Sequence, residues 1–256
     1  MRLDLGISSV VFESASAGDM TPDVVAWHCR TLGLRTVEVR ADYLCGEGRS
    51  PGTVASVLGR HGLRVVYATD TVLAAEVSDV KDSGSRLRHD LAIAGALGAR
   101  ILRIFPGDLA HLGPAAAALA ATWGRAAEEA GVQLVLENVA EGPGSDLPAL
   151  ADLVRRVPAT VRLNVDVGNA AQAGLEVAAV VARVRDVIAM VHLKGLPDGD
   201  LRSIGAIDFA AVARALSGWD GPVCLEQDAG PAPWDTVMRW LHWLTSAGFS
   251  PERMGA

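Results

Sequence analysis

Short runs rich in β-branched residues and leucine recur about every 30 residues along the chain, separated by segments of helical periodicity. Eight of them read as strands: LDLGI (3–7), TVEVR (36–40), RVVYAT (64–69), ILRIF (101–105), VQLVLE (132–137), VRLNVD (161–166), AMVHLK (189–194) and PVCLE (222–226). Gly33, Gly62, Gly98 and Gly131 fall shortly before strands, where a helix closing in the left-handed conformation favours glycine. Thr21-Pro22, Ser50-Pro51 and Gly113-Pro114 place proline near a first helical position. Asp146, Asp208 and Asp235 sit where a cap or first-turn acid is favoured. No linker or compositional break interrupts this rhythm. Residues 1–256 are therefore expected to form a single domain, an α/β fold of the (β/α)₈ or TIM barrel type. An open doubly wound sheet is the alternative, but no glycine fingerprint follows the first strand.

The alternation within each strand says which way its residues face. Val161, Leu163 and Val165 share one side of VRLNVD, and Arg162, Asn164 and Asp166 share the other. Val191 and Leu193 oppose Met190, His192 and Lys194; Val223 and Leu225 oppose Cys224 and Glu226; Leu134 and Leu136 oppose Gln133, Val135 and Glu137. Helices cover the outside of such a barrel, so the apolar sets are expected to point outward and the mixed sets inward. The polar members then gather at the C-terminal ends of the strands, where this fold carries its active sites.

Four successive strands thus offer Glu137, Asp166, His192 and Glu226 at one height. Strands lie about 4.8 Å apart, so four such side chains on a curved wall can converge. Three carboxylates brought together raise one another's pKa values unless a cation joins them. A divalent ion held by three carboxylates and an imidazole resolves the conflict. The donor set suits Mn²⁺ first, with Mg²⁺, Co²⁺, Fe²⁺ or Zn²⁺ as alternatives.

Composition narrows the class of partner. A net charge of −7 argues against a basic nucleic-acid-binding face, and no apolar stretch approaches the roughly 20 residues of a membrane span. The N-terminus MRLDLGISSV lacks the basic region and long apolar core of a signal peptide. Three cysteines with no paired or metal-binding spacing complete the expectation of a cytoplasmic protein.

The segments LVLEN (134–138), NVDVGN (164–169), MVHLKG (190–195), GAIDFAAVARAL (205–216) and WDGPVCLEQ (219–227) resemble the xylose isomerase-like barrels, the sugar-phosphate isomerase/epimerase family with its inosose isomerase and dehydratase branch. The resemblance covers nearly the whole chain. It implies the same four metal ligands, Glu137, Asp166, His192 and Glu226, with Glu137 and Glu226 also acting as acid and base. It departs from the family at Asn169, which replaces a histidine that commonly touches substrate oxygen, and at Gly195, which replaces an acid of the inositol branch. It leaves both a homodimer and a homotetramer open.

Other inward or loop residues are candidates with bland alternatives. Lys194 is placed to polarise a substrate oxygen or to pair with Glu226. Glu38 and Arg40 are placed to bind hydroxyls or to pair with each other. Arg103 is placed to hold a substrate carboxylate or to anchor a core acid such as Asp4. Arg202, in the loop after the seventh strand, is a substrate contact or a solvated charge. The expected function is a metal-dependent isomerase or epimerase of a keto-sugar or cyclitol, abstracting a proton next to a carbonyl through an enediolate. A dehydratase of an inosose or dehydroshikimate-like acid is the alternative. A non-catalytic barrel that binds sugar or metal is the third.

Overall fold

The computed structural model describes residues 2–74, 80–109, 115–195 and 207–251. Eight parallel strands form a closed ring: β1 (Arg2–Ser8), β2 (Thr36–Arg40), β3 (Arg64–Ala74), β4 (Ile101–Gly107), β5 (Gln133–Glu137), β6 (Val161–Asp166), β7 (Ile188–Leu193) and β8 (Pro222–Leu225). Each pairs with the next, and β1 pairs with both β8 and β2, which closes the barrel. The longer helices among the described residues are α1 (Pro22–Thr31), α2 (Pro51–Arg60), α3 (Val80–Leu97), α4 (Ala115–Glu129), α5 (Leu147–Val154), α6 (Val167–Gln172), α7 (Val177–Val184), α8 (Phe209–Ala215) and α9 (Pro233–Ser246). A two-residue strand that the alternation pattern did not announce, β9 (Ser250–Pro251), pairs with Arg2 and Leu3.

The helix ends follow the local chemistry. Thr21 and Ser50 accept hydrogen bonds from the backbone N–H groups of Val24 and Thr53, and Asp146 and Asp208 accept from Ala149 and Ala211. Gly33 and Gly62 close α1 and α2 with φ of 74° and 68°, which a side chain would strain. The Gly113-Pro114 signal lies outside the described residues.

The apolar strand faces point outward as expected. Leu134, Leu136, Leu163, Val165, Val191, Leu193, Val223 and Leu225 are all fully buried in the layer between sheet and helices. Inside the barrel a separate small cluster of Val66, Met190 and Cys224, flanked by Ile101, forms a floor. Gly6 keeps β1 close to that floor: a Cβ there would meet the Thr36 carbonyl oxygen at 2.4 Å and Cys224 Sγ at 3.0 Å. Above the floor the lumen turns polar, with Glu38, Arg103, Asn164, Asp166 and His192 all buried. No helix among the described residues is long and apolar enough to cross a membrane.

Register explains how residues from β5 to β8 meet. Glu137 lies opposite Asn164 rather than Asp166, while Asp166 lies opposite His192 and His192 opposite Cys224. The four side chains therefore climb in hydrogen-bond register around the wall. Barrel strands tilt by about 36°, so positions level along the axis are staggered in register, and the climb brings the four together.

Candidate metal centre

Glu137 ends β5, Asp166 ends β6, His192 lies one residue before the end of β7, and Glu226 follows β8 directly. All four are buried, and one ligand atom from each lies within 4.8 Å of the others. Metal–oxygen and metal–nitrogen bonds of about 2.0–2.6 Å span such a group through one ion.

Local structure leaves the carboxylates with oxygens to spare. Asp166 Oδ1 accepts the Asn169 N–H at 2.8 Å and so caps α6, while its Oδ2 is buried without a hydrogen-bond partner. Glu226 Oε2 is likewise buried and unbonded, 3.3 Å from His192 Nδ1. Glu137 Oε2 stands 2.8 Å from Arg103 Nε but off the N–H direction, so this contact is an ion pair rather than a directed hydrogen bond. Buried carboxylate oxygens left this way are costly unless a cation takes them up. The donor set fits a divalent ion, with all three carboxylate oxygens and the imidazole at hand.

His192 is fixed from both sides. Its Nε2 lies 2.8 Å from Glu38 Oε2, and Glu38 Oε1 accepts the Ser8 hydroxyl at 2.7 Å. Nδ1 faces Glu226, Glu137 Oε1 at 3.5 Å, and the side-chain amide of Asn164 at 3.0 Å. Burial opposes the charge on His192, yet Glu226, Glu38 and Glu137 together hold its pKa well above the ordinary value. Burial pushes Asp166 up to about 8 against the pull of Lys194, and the Glu226 and Glu137 charges add to the rise. Glu226 goes the other way: burial opposes its charge, but His192, Lys194 and Arg103 hold it well below the usual carboxylate range. Desolvation and mutual repulsion thus keep Asp166 from ionising as readily as Glu226, and a divalent cation among the four groups would favour the charged form of all three acids.

The remaining candidates from the sequence fall around this centre. Arg103 is almost wholly buried; besides Glu137 it reaches Glu226 at 3.8 Å, donates to the Thr69 carbonyl oxygen at 3.1 Å and lies over the Phe105 ring. The acid it was matched with, Asp4, is instead held by Arg64 and Thr36 at the opposite end of the barrel. Glu38 is committed to Ser8 and His192, and Arg40 reaches Asp42 at 3.5 Å and Glu226 at 3.9 Å. Lys194 Nζ stands 3.6 Å from both Asp166 Oδ2 and Glu226 Oε2 and keeps about a third of its side chain exposed. Asn169 spends its Nδ2 on the Asn138 carbonyl oxygen at 3.0 Å. Arg202 lies outside the described residues.

Asn138 was not singled out from the strand pattern, although it follows Glu137 directly. Its Oδ1 accepts the Asp166 N–H at 2.9 Å and its Nδ2 donates to the Asp166 carbonyl oxygen at 3.1 Å. That reciprocal pair ties the end of β6 to the end of β5 where the ladder stops. The available signal was a buried amide at a strand end, which carries no meaning until its partner is known.

The family model described as the xylose isomerase-like TIM barrel matches residues 28–243. The chain belongs to that family. No curated protein matches the sequence. Among solved structures, this xylose isomerase-like barrel is similar to a xylose isomerase-like TIM barrel/4-hydroxyphenylpyruvate dioxygenase fusion protein at 15% identity and a TM-score of 0.74, covering 99% of this chain and 45% of that one. The chain thus spans less than half of the fusion protein. It is also similar to the probable 3-DHS dehydratase AsbF of Bacillus anthracis, at 13% identity, a TM-score of 0.73 and coverage of 96% and 99%. An L-ribulose 3-epimerase is similar at 22% identity and a TM-score of 0.71, with coverage of 88% and 81%. At these identities the likenesses establish a shared fold.

Proposed function

We propose that this barrel is a divalent-metal-dependent isomerase or epimerase of a keto-sugar or cyclitol. The observation that carries the reading is the pair Glu137 and Glu226: two buried carboxylates on β5 and just past β8, both next to Arg103 and both within the group able to hold a cation. Mn²⁺ is the first choice of ion. When bound, it supplies positive charge for a substrate oxygen that becomes negative as the neighbouring C–H bond breaks.

The protein's own groups do the rest. One glutamate takes the proton from the carbon next to the carbonyl, and the other returns it. Return to the same carbon from the opposite side inverts that centre; return to the adjacent carbon exchanges ketose for aldose. Arg103 lies against both carboxylates and offsets their negative charge. Lys194 and Arg40, partly exposed on the C-terminal side, face the substrate hydroxyls and steady the developing negative charge. Asn169 and Arg202 complete the proposed substrate contacts, and Glu38 acts from behind His192. Cys29, Cys45 and Cys224, all free, support a cytoplasmic setting; a homodimer or homotetramer is part of the same proposal.

Lys194 and Arg40 also favour a second reading. Two cations at the mouth suit an acidic substrate, and the same proton abstraction followed by loss of a β-hydroxyl is a dehydration. Incubation with Mn²⁺ and a panel of ketoses, inososes and keto acids in D₂O separates the two. Isomerisation introduces deuterium at the α-carbon without loss of water, whereas dehydration releases water. If no substrate gains deuterium or loses water, or if Glu137→Gln and Glu226→Gln turn over as fast as the unaltered protein, the proton chemistry is refuted.

A further inference from the structure

Glu38 takes no part in the proton transfer outlined above, yet it is buried completely in the lumen of the barrel. A carboxylate there is costly unless its oxygens are bonded. Both are: Oε1 takes the Ser8 hydroxyl at 2.7 Å and Oε2 faces His192 Nε2 at 2.8 Å. The three residues come from β1, β2 and β7, and Glu38 and His192 lie 154 positions apart. Since β1 and β8 stand between β2 and β7 in the ring, the contact crosses the lumen rather than joining neighbours.

The two nitrogens of an imidazole are not equivalent, and the partner of one sets the role of the other. On the far side of the ring Nδ1 faces Glu226 Oε2 at 3.3 Å and Glu137 Oε1 at 3.5 Å, the side where the four ligand atoms converge, with the Asn164 side-chain amide, able to donate to an unprotonated Nδ1, at 3.0 Å. We propose that Glu38 is a positioning residue for the metal centre: it receives the Nε2–H of His192, so that Nδ1 is the nitrogen presented to the cation, and Ser8 holds Glu38 in that pose. A carboxylate behind a metal-binding histidine fixes ring orientation and strengthens the donor atom. Arg103, the other cation acting on Glu38, is paired with Glu137.

The inference rests on the metal reading of the preceding subsection, and its test separates the two. Full-length protein is stripped with EDTA, exchanged into chelator-free buffer and titrated with Mn²⁺ in a calorimeter, for the unaltered chain and for Glu38→Gln, Glu38→Leu and Ser8→Ala. Loss of the carboxylate is expected to weaken Mn²⁺ binding about 10- to 100-fold. Ser8→Ala, which leaves Glu38 in place and is the variant least disruptive to folding, is expected to weaken it roughly three- to tenfold. The Co²⁺-loaded protein supplies a signature that a merely structural role would not move. Its proton NMR spectrum is expected to show a strongly shifted, slowly exchanging imidazole N–H from Nε2, and Glu38→Leu to lose it. Unchanged affinity in all three variants together with an unchanged N–H signal would overturn the role of Glu38 and leave the metal reading intact. Failure of the unaltered protein to bind Mn²⁺ or Co²⁺ would overturn both.

Discussion

Arg103→Met asks most directly whether the lumen is held together by charge. Arg103 heads the large, fully buried side chains, and methionine keeps much of its stem while deleting the guanidinium. The change strands the Glu137 carboxylate, whose Oε2 faces Arg103 Nε at 2.8 Å, and removes a cation 3.8 Å from Glu226. Breaking one side of a buried ion pair costs about 3–5 kcal/mol, because the remaining charge stays in a medium that solvates it poorly. In a protein of this size that corresponds to a fall in melting temperature of about 6–20 °C. Removing both partners is far less costly than removing one. Arg103→Met combined with Glu137→Gln is therefore expected to be more stable than the two single losses add up to, by roughly 1–3 kcal/mol. Urea denaturation of EDTA-stripped protein, followed by tryptophan fluorescence and circular dichroism, measures each corner of the cycle. A loss below about 1 kcal/mol for Arg103→Met, or strict additivity in the double variant, would refute the charge argument.

Metal affinity is expected to rise from pH 6 to pH 8, because Asp166 and His192, both with pKa values raised, must give up protons to become ligands; calorimetry in buffers of different ionisation enthalpy reads the protons released, and binding without release would contradict the upward shifts of these groups. The same shifts fix a sign for the metal-free protein: its folded form holds more protons than the unfolded chain above about pH 5.5, so stability falls as pH rises toward 8 and beyond, and urea midpoints at pH 6 and 8.5 check this. Glu38 and Glu226, whose pKa values are, despite burial, lowered by His192, lose stabilisation only as pH falls through about 4.5 and below, outside that window. Asn138→Ala removes two buried bonds to the Asp166 backbone and is expected to cost about 2–3 kcal/mol in chemical denaturation, with Mn²⁺ affinity falling alongside. Gly6→Ala drives a methyl group to 2.4 Å from the Thr36 carbonyl oxygen, a backbone atom with little room to retreat, and is expected to destabilise by at least about 1–3 kcal/mol; wild-type stability would mean that β1 and β2 separate more readily than their pairing suggests.

Strand periodicity by itself determined the barrel and the inward faces of Glu137, Asp166, His192 and Glu226, because alternation along a strand is a local property that helix-covered sheets preserve. It also marked the helix starts at Thr21, Ser50, Asp146 and Asp208, where one side chain and a backbone N–H three residues on suffice. Partnership across the lumen was decided only by ring closure. Period two places Glu38 and Arg103 indoors without saying that Glu38 will meet His192 across the lumen, which depends on the stagger accumulated over several strands, or that Arg103 will reach Glu137, two positions beyond its register partner on the neighbouring strand. The same holds for the Asn138 clamp on Asp166 and for β9 beside β1: each joins segments far apart in the chain through contacts that no local pattern encodes.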